Sequence, residues 1–438
     1  MIPQRGSAPW AARFLAIWTV AATSAAACSP AAPAAAPTAS APTTAPAPAP
    51  TRVPITVSTT APVAAPTVPA PTVAPVGAVP TNAPAASGGG TCNLDYVRAQ
   101  IESHKGIPKF DPPGPAFEAK KAAGKTIMTI QESSSNPFTN TILNAMKRAA
   151  DEVGVNIVDY PNQGQHTQWI QGLNQAIAQK VNAVVVLGGT IGPVYFKPQA
   201  EALKNTGIPL VTVVDTDLSQ PPEDLTTARV AQPYIQAAQL DADWIILQTQ
   251  CKANVLIITT NDLIAGDVNT RAAEREFQQY CGDGCKFKTV NVAIPDWTTK
   301  IQPAVQGAIQ ADPNINYIFP LYDAMTQFVL PGIQLAGASG RVKVVSFNGT
   351  PFALKLIQDG TDMEMDVGES EDWLGFAAMD QTMRILTGVG PIASGDEHIP
   401  LRVFDKTNVN ETGVPPEFGK GYGEEWLTGY RKMWGLSQ

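Results

Sequence analysis

The stretch Lys125 to Pro137, KTIMTIQESSSNP, sets polar side chains directly after a short apolar run. An asparagine amide both donates and accepts, and a phenylalanine ring offers a flat apolar face. Asn136 and Phe138 are therefore the first candidates for ligand contact. Asn-Pro also signals a helix start, so capping is the competing role for Asn136. Glu132 in the same loop and the distant Glu369 could form the carboxylate pair of a glycosidase. Gly188-Gly189-Thr190-Ile191-Gly192 invites comparison with a phosphate cradle, but it lacks G-x-G-x-x-G spacing and no Walker lysine follows. The chain has 3 histidines, His104, His166 and His398, with no H-E-x-x-H and no G-x-S-x-G. Hydrolytic metal and nucleophile-elbow chemistry lack their parts.

These residues must be held by regular elements. Thr126 to Ile130 reads as a strand, and a helix follows from near Phe138, burying Ile142, Met146, Ala149, Ala150 and Val153 at three- and four-residue spacing. Gly154 ends it. Strand, polar loop and helix make half of a βαβ unit, whose loop at the carboxyl end of the strand is where ligands sit. Further strand-like runs lie at 155–159, 182–187, 208–214, 254–260, 287–294, 315–319 and 342–347. Helical patterns lie between them at 166–179, 194–206, 235–248, 268–280, 300–311, 325–336 and 351–358. Near-continuous β-branched strands alternating with helices predict parallel sheets covered on both faces. One block closes near Asp215 and a second opens near Gln232. The fold class is α/β, with two similar doubly wound lobes and a cleft between them.

The net charge of −8 and the absence of a basic tract argue against nucleic-acid binding. Residues 1–28 read as a targeting segment, with Arg5 and Arg13 ahead of the apolar Phe14 to Ala22. Ser24-Ala25-Ala26-Ala27-Cys28 resembles the lipobox of bacterial lipoproteins, with Ala25 where leucine is usual. That resemblance implies cleavage before Cys28 and lipidation of its thiol; an ordinary secretory signal is the rival. Residues 29–90 are an Ala/Pro/Thr/Val-rich stalk, which fully extended at about 3.1 Å per residue would reach about 190 Å. Beyond Cys28, the cysteines Cys92, Cys251, Cys281 and Cys285 allow three pairings, and a Cys281–Cys285 loop or a Cys251 bridge is geometrically reasonable. A zinc site has neither a second close pair nor a nearby histidine.

SNPF at 135–138, IPLVTVVD at 208–215, DVNTRAAEREF at 267–277, PLYDAM at 320–325 and VVSFNGTP at 344–351 occur in an order that resembles the ribose- and galactose-type periplasmic binding proteins. These are the substrate-binding receptors of sugar ABC transporters. The resemblance runs from about Gly124 to Asp405. It implies the type I periplasmic-binding-protein fold, with three interlobe crossings near Thr226–Gln232, Gly368–Ser370 and His398–Leu401. Lobe one would span 125–230 plus 370–398, and lobe two 231–368 plus 399–410. A strap over 91–124 would cross lobe one, and an aromatic extension would follow over 411–438. In that extension Tyr422, Trp426, Tyr430 and Trp434 stand four apart, as one helical stripe would.

The resemblance also assigns roles. Asn136 and Phe138 would contact ligand from lobe one. Arg271 would grip neighbouring oxygens from lobe two, against a helix-face pair with Arg275 or Glu274 as its competing role. Asn348, beside Phe347 in FNGTP, stands where an aspartate is usual, and Trp297 stands where a stacking aromatic is expected. Departures from the ribose pattern are Glu132, Thr139, Gly188, Tyr322, Asp215 followed by Thr216, and Glu369. If Glu132, Asp215 and Glu369 face the cleft, the pocket is more acidic and roomier, suited to a sugar, polyol or amino sugar. The implied protein is an extracytoplasmic monomer anchored to the membrane by lipid. It would deliver its solute to an ABC permease, without cofactor, metal or catalytic residues. A sensory receptor for a chemotaxis or kinase partner and a carbohydrate-active enzyme are the alternatives.

Overall fold

Strand residues that alternate between two apolar faces can be buried only by helices on both sides. In the computed structural model, which describes residues 90–436, the first sheet has this form. It comprises β1 (Thr126–Gln131), β2 (Asn156–Asp159), β3 (Ala183–Leu187), β4 (Leu210–Asp217) and β5 (Ala228–Gln232), all parallel, in the order β2-β1-β3-β4-β5. Ile127, Val185, Val211 and Val230 face the helices α2 (Pro137–Val153) and α10 (Glu371–Leu386). Met128, Ile130, Val184 and Val186 face α3 (His166–Gln179) and α4 (Lys197–Thr206).

The second sheet runs β11 (Arg402–Asp405), β10 (Met363–Gly368), β9 (Lys343–Asn348), β8 (Tyr317–Pro320), β6 (Asn254–Thr259), β7 (Lys286–Asn291). Only the edge strand β11 is antiparallel. Around it lie α5 (Tyr234–Thr249), α6 (Gly266–Tyr280), α7 (Gln302–Ala311), α8 (Asp323–Leu335) and α9 (Pro351–Gln358). The fold is the expected pair of doubly wound lobes. The chain crosses between them after β5, after β10, and again between Ile399, in the first lobe's core, and Leu401, in the second's.

Several elements escaped the sequence pattern. Helix α10 is buried on nearly every side, so it carries no amphipathic stripe, and its polar Asp380, Gln381, Thr382 and Arg384 are inside. β5, β10 and β11 sit at crossings where short runs mix apolar and polar residues.

The strap begins on the second lobe, and its first half does not cover lobe one. Val97 and Ile101 of α1 (Leu94–Lys105) join the second lobe's core, while Phe117, Ala119 and Ala122 join the first lobe's. At the far end, α11 (Glu425–Met433) stacks Trp426 on Trp373 and Trp434 on Phe376, and Trp434 Nε1 donates to Asp380 at 2.7 Å. The aromatic stripe is broken after its first member. Tyr422 precedes the helix and packs edge-on to Phe404 in the second lobe. Both terminal segments therefore bridge the lobes as well.

The cysteines pair as Cys92–Cys251 and Cys281–Cys285. The targeting segment, Cys28 and the stalk up to residue 89 lie outside the described residues. Cys92–Cys251 joins positions 159 residues apart and pins the strap to α5. A loop of that length constrains the unfolded chain by about 5 kcal/mol in the chain-entropy model. Urea denaturation of the Cys92→Ser/Cys251→Ser variant should therefore show a loss of a few kcal/mol, up to about 5. An unchanged midpoint would mean that the strap is held by packing alone.

Candidate functional site

Loops at the carboxyl ends of β1, β3, β4, β6, β7, β8 and β9 line one space between the lobes, a cavity of about 630 Å³. The first lobe contributes Glu132, Asn136, Phe138, Gly189, Thr190 and Val214. The second contributes Leu263, Ala265, Ile294, Trp297, Tyr322, Asn348, Thr350 and Phe352, together with Tyr234 from the first crossing. Phe418, from the C-terminal extension, completes the wall. No lysine or arginine lines it among the described residues.

The position of Glu132 explains two departures from the ribose pattern. Its Oε1 accepts from Asn136 Nδ2 at 2.5 Å, and its Oε2 accepts from Thr190 Oγ1 at 2.9 Å and from the Thr190 amide at 3.3 Å. Gly188 has φ +133, and a Cβ there would lie 2.6 Å from Glu132 Oε2. The larger residue at 132 therefore occupies the space that a side chain at 188 would fill. Burial raises the Glu132 pKa, opposed by the hydrogen bonds from Thr190 and Asn136. Asn136 takes its capping role, its Oδ1 accepting from the Phe138 amide at 3.0 Å at the start of α2, and it also lines the cavity.

Val214 has φ +63, which a β-branched residue adopts at a cost of about 1–3 kcal/mol. It lies where the β4–β5 register slips, and Tyr234 Oη donates to its carbonyl at 2.8 Å. On the second lobe, Trp297 Nε1 donates to the Val292 carbonyl at 3.0 Å, which fixes the half-buried indole at the cavity wall. Asn269 Nδ2 donates to Tyr322 Oη at 3.1 Å. The loop carrying Asn348 is shaped by two buried aspartates. Asp323 accepts from the Thr350 amide at 2.8 Å and from Thr350 Oγ1 at 2.7 Å, while Asp366 accepts from the Gly349 amide at 2.9 Å.

Six of the ten expected binding residues therefore line one cavity: Glu132, Asn136, Phe138, Trp297, Tyr322 and Asn348. The other four do not. Arg271 projects into solvent from α6 and pairs on its own helix with Asp267 one turn earlier, a partner other than the expected Glu274 or Arg275. Phe347 is core, edge-on to Tyr234 at 5.9 Å and tilted against Tyr322, and so forms a bed beneath the wall. Asp215 is buried within β4, within hydrogen-bond reach of Thr216 and near Arg229. Glu369 is buried at the middle crossing. It accepts from Asn348 Nδ2 at 3.1 Å and from Gln232 Nε2, joining two crossings to a cleft residue. Tyr234, Thr190, Phe352 and Phe418 were not singled out as contacts. Thr190 lay in the glycine run considered for phosphate, and the aromatics carry no local signal that separates wall from core.

Two facing α/β lobes with an open cavity at their strand ends define a two-lobed binding protein. The chain belongs to the periplasmic binding protein family, whose domain model matches residues 127–389, more than half of its length. The ribose import binding proteins of Salmonella typhimurium and Escherichia coli are each 22% identical over 271 residues, covering 62% of this chain and 88% of theirs. Among solved structures, an ABC transporter solute binding protein from Agrobacterium vitis with bound allitol superposes with a TM-score of 0.59. It has 18% identity over 67% of this chain and 99% of its own. One from Bacillus halodurans with bound myo-inositol gives 0.56, also at 18% identity and the same coverages. At these identities the structural likeness speaks to the fold.

Burial, reinforced by the charge of Asp323, outweighs the hydrogen bonds from Asn348 and Gln232 and pushes the Glu369 carboxyl from 4.5 up to about 8. Between those values the folded state holds a proton that the unfolded chain releases, so stability falls as pH rises through this window. Glu369→Gln removes the dependence. The melting temperature of the variant relative to wild type should therefore climb from about pH 5 to about pH 8, and a flat difference would contradict a protonated Glu369.

Proposed function

We propose that the protein is an extracytoplasmic receptor that binds a sugar or related polyol between its lobes and delivers it to an ABC permease. The observation that carries this reading is the composition of the cavity wall. Flat aromatic faces from Phe138, Trp297 and Phe352 suit the C–H faces of a sugar ring, while Asn136, Asn348 and Thr190 suit its hydroxyl rim. Family membership and relatives described as ribose import binding proteins support it. Allitol and myo-inositol in the solved relatives point to the same ligand class. Closure about the crossings would present both lobes to the permease. The receptor works as a monomer and breaks no bond.

With Glu132 on the wall and, among the described residues, no lysine or arginine opposite, the ligand is neutral or carries an amine. A thermal-shift panel of D-ribose, D-allose, L-arabinose, myo-inositol, allitol and amino sugars should contain binders. At a hundredfold excess over Kd, a binder adds about 2.7 kcal/mol of apparent stability. Uronic acids should produce no shift. Stabilisation by uronic acids alone, or consumption of a bound sugar in product analysis, would sink this reading.

The resemblance of the segment ending at Cys28 to a lipobox supports anchoring through that thiol, with the proline-rich segment as a stalk. Cys28→Ser should move the protein from the membrane fraction to the soluble fraction. Retention in the membrane fraction would favour another anchor.

A further inference from the structure

The cavity wall includes one residue that lies beyond the family-model match, which ends at residue 389: Phe418, in the loop between β11 and α11. That loop is held at several points by groups of the second lobe. Gln358 Nε2 donates to the Gly413 carbonyl at 2.7 Å. The buried Arg402 donates to the Gly421 carbonyl and pairs with Glu411 at 2.5 Å. Tyr422 packs on Phe404, directly behind the turn that carries Asn348: a Cβ on Gly349 would lie 3.2 Å from its hydroxyl. Toward the first lobe, Gly419 has φ +73 and lies so close to Asp372 that a Cβ there would meet Oδ2 at 2.5 Å. Asp372 is itself fixed by Arg148 of α2 at 2.6 Å.

A loop pinned on both sides of residue 418 holds that side chain at the seam between the lobes. The ring is half-buried and, among the described residues, joins none of the three apolar cores and no aromatic pair. A large apolar side chain gains stability mainly by core packing. Phe418 instead faces a water-accessible cavity whose other aromatic members are Phe138, Tyr234, Trp297, Tyr322 and Phe352.

We propose that Phe418 is a ligand-contacting, specificity-determining residue, which packs on the apolar face of a ring-shaped polyol and makes the C-terminal extension part of the binding site. This rests on the receptor reading above. The extension adds one more aromatic ring to those that the two lobes already present. It favours cyclic ligands, which present a continuous C–H face, over flexible acyclic ones, which do not.

The test is isothermal titration of the full chain, comparing wild type, Phe418→Ala and Phe418→Tyr with D-allose, myo-inositol and acyclic allitol. For the cyclic ligand that wild type binds, Phe418→Ala should weaken affinity by about tenfold or more, and Phe418→Tyr should stay within about threefold. Allitol binding, where present, should lose less than the cyclic ligand. If Phe418→Ala melts well below wild type, Phe418→Leu is read in its place. Wild type that binds while Phe418→Ala binds equally well overturns this inference alone, as does equal loss in the alanine and tyrosine variants. Should wild type bind none of the three, the same comparison is run with the cyclic ligand that the thermal-shift panel identifies; wild type that binds no member of that panel removes the receptor reading, and this inference with it.

Discussion

A parallel sheet covered on both faces leaves only its strand ends open. Both sheets obey that constraint, and the carboxyl ends of their strands face one another. Glu132 follows β1, Thr190 follows β3 and Val214 ends the regular part of β4. On the other side Trp297 follows β7, Tyr322 follows β8 and Asn348 closes β9. No single segment builds the cavity. Its walls come from loops whose direction is fixed by strands with no freedom to turn, and this is how residues more than a hundred positions apart come to share one space.

The electrostatics follow from the same burial. Glu132 is held by an amide, a hydroxyl and a backbone N–H, and among the described residues no lysine or arginine lines the cavity beside it. Glu369, a few residues deeper, joins Gln232 at one crossing to Asn348 at the cavity edge. A shift at the hinge would thereby move a cleft residue. Asp323 and Asp366 hold the turn from Asn348 to Thr350 from behind through its backbone amides and the Thr350 hydroxyl. The carboxylates thus divide between one that faces the ligand space and several that shape the loops around it.

The terminal segments raise the number of interlobe connections from three to five. The strap and the extension meet where a Cβ on Gly423 would lie 2.8 Å from Ile107. The extension is seated on the first lobe by stacked aromatics around a buried pair, Asp380 with Arg384 at 2.5 Å, whose second carboxylate oxygen accepts from Trp434. A pair of this kind contributes little net stability, since desolvation offsets the attraction, but losing one partner is costly. It fixes where the helix docks more than how tightly.

The alternation of apolar strands and amphipathic helices was legible because both periods are local. So were the two lobes, the capping role of Asn136, and the placement of Trp297 after a strand and of Asn348 at a strand's end. Helix α10 was not legible, because burial on all sides erases the stripe that marks a helix. Arg271 shows the limit at the site. Its position on α6 follows from sequence, but one turn of helix decides whether a guanidinium faces a cleft or an aspartate on the same helix, and here it faces Asp267. Phe347 and Trp297 look alike in sequence as aromatic residues near strand ends; only packing made one a bed and the other a wall. The sequence by itself determined the elements, their order and the loops that could bear ligand contacts, since these depend on neighbours a few residues away. Tertiary structure alone decided that Glu132 needs Gly188, that Glu369 stands behind Asn348, and that Phe418 reaches the cavity, because each depends on contact between distant segments of the chain.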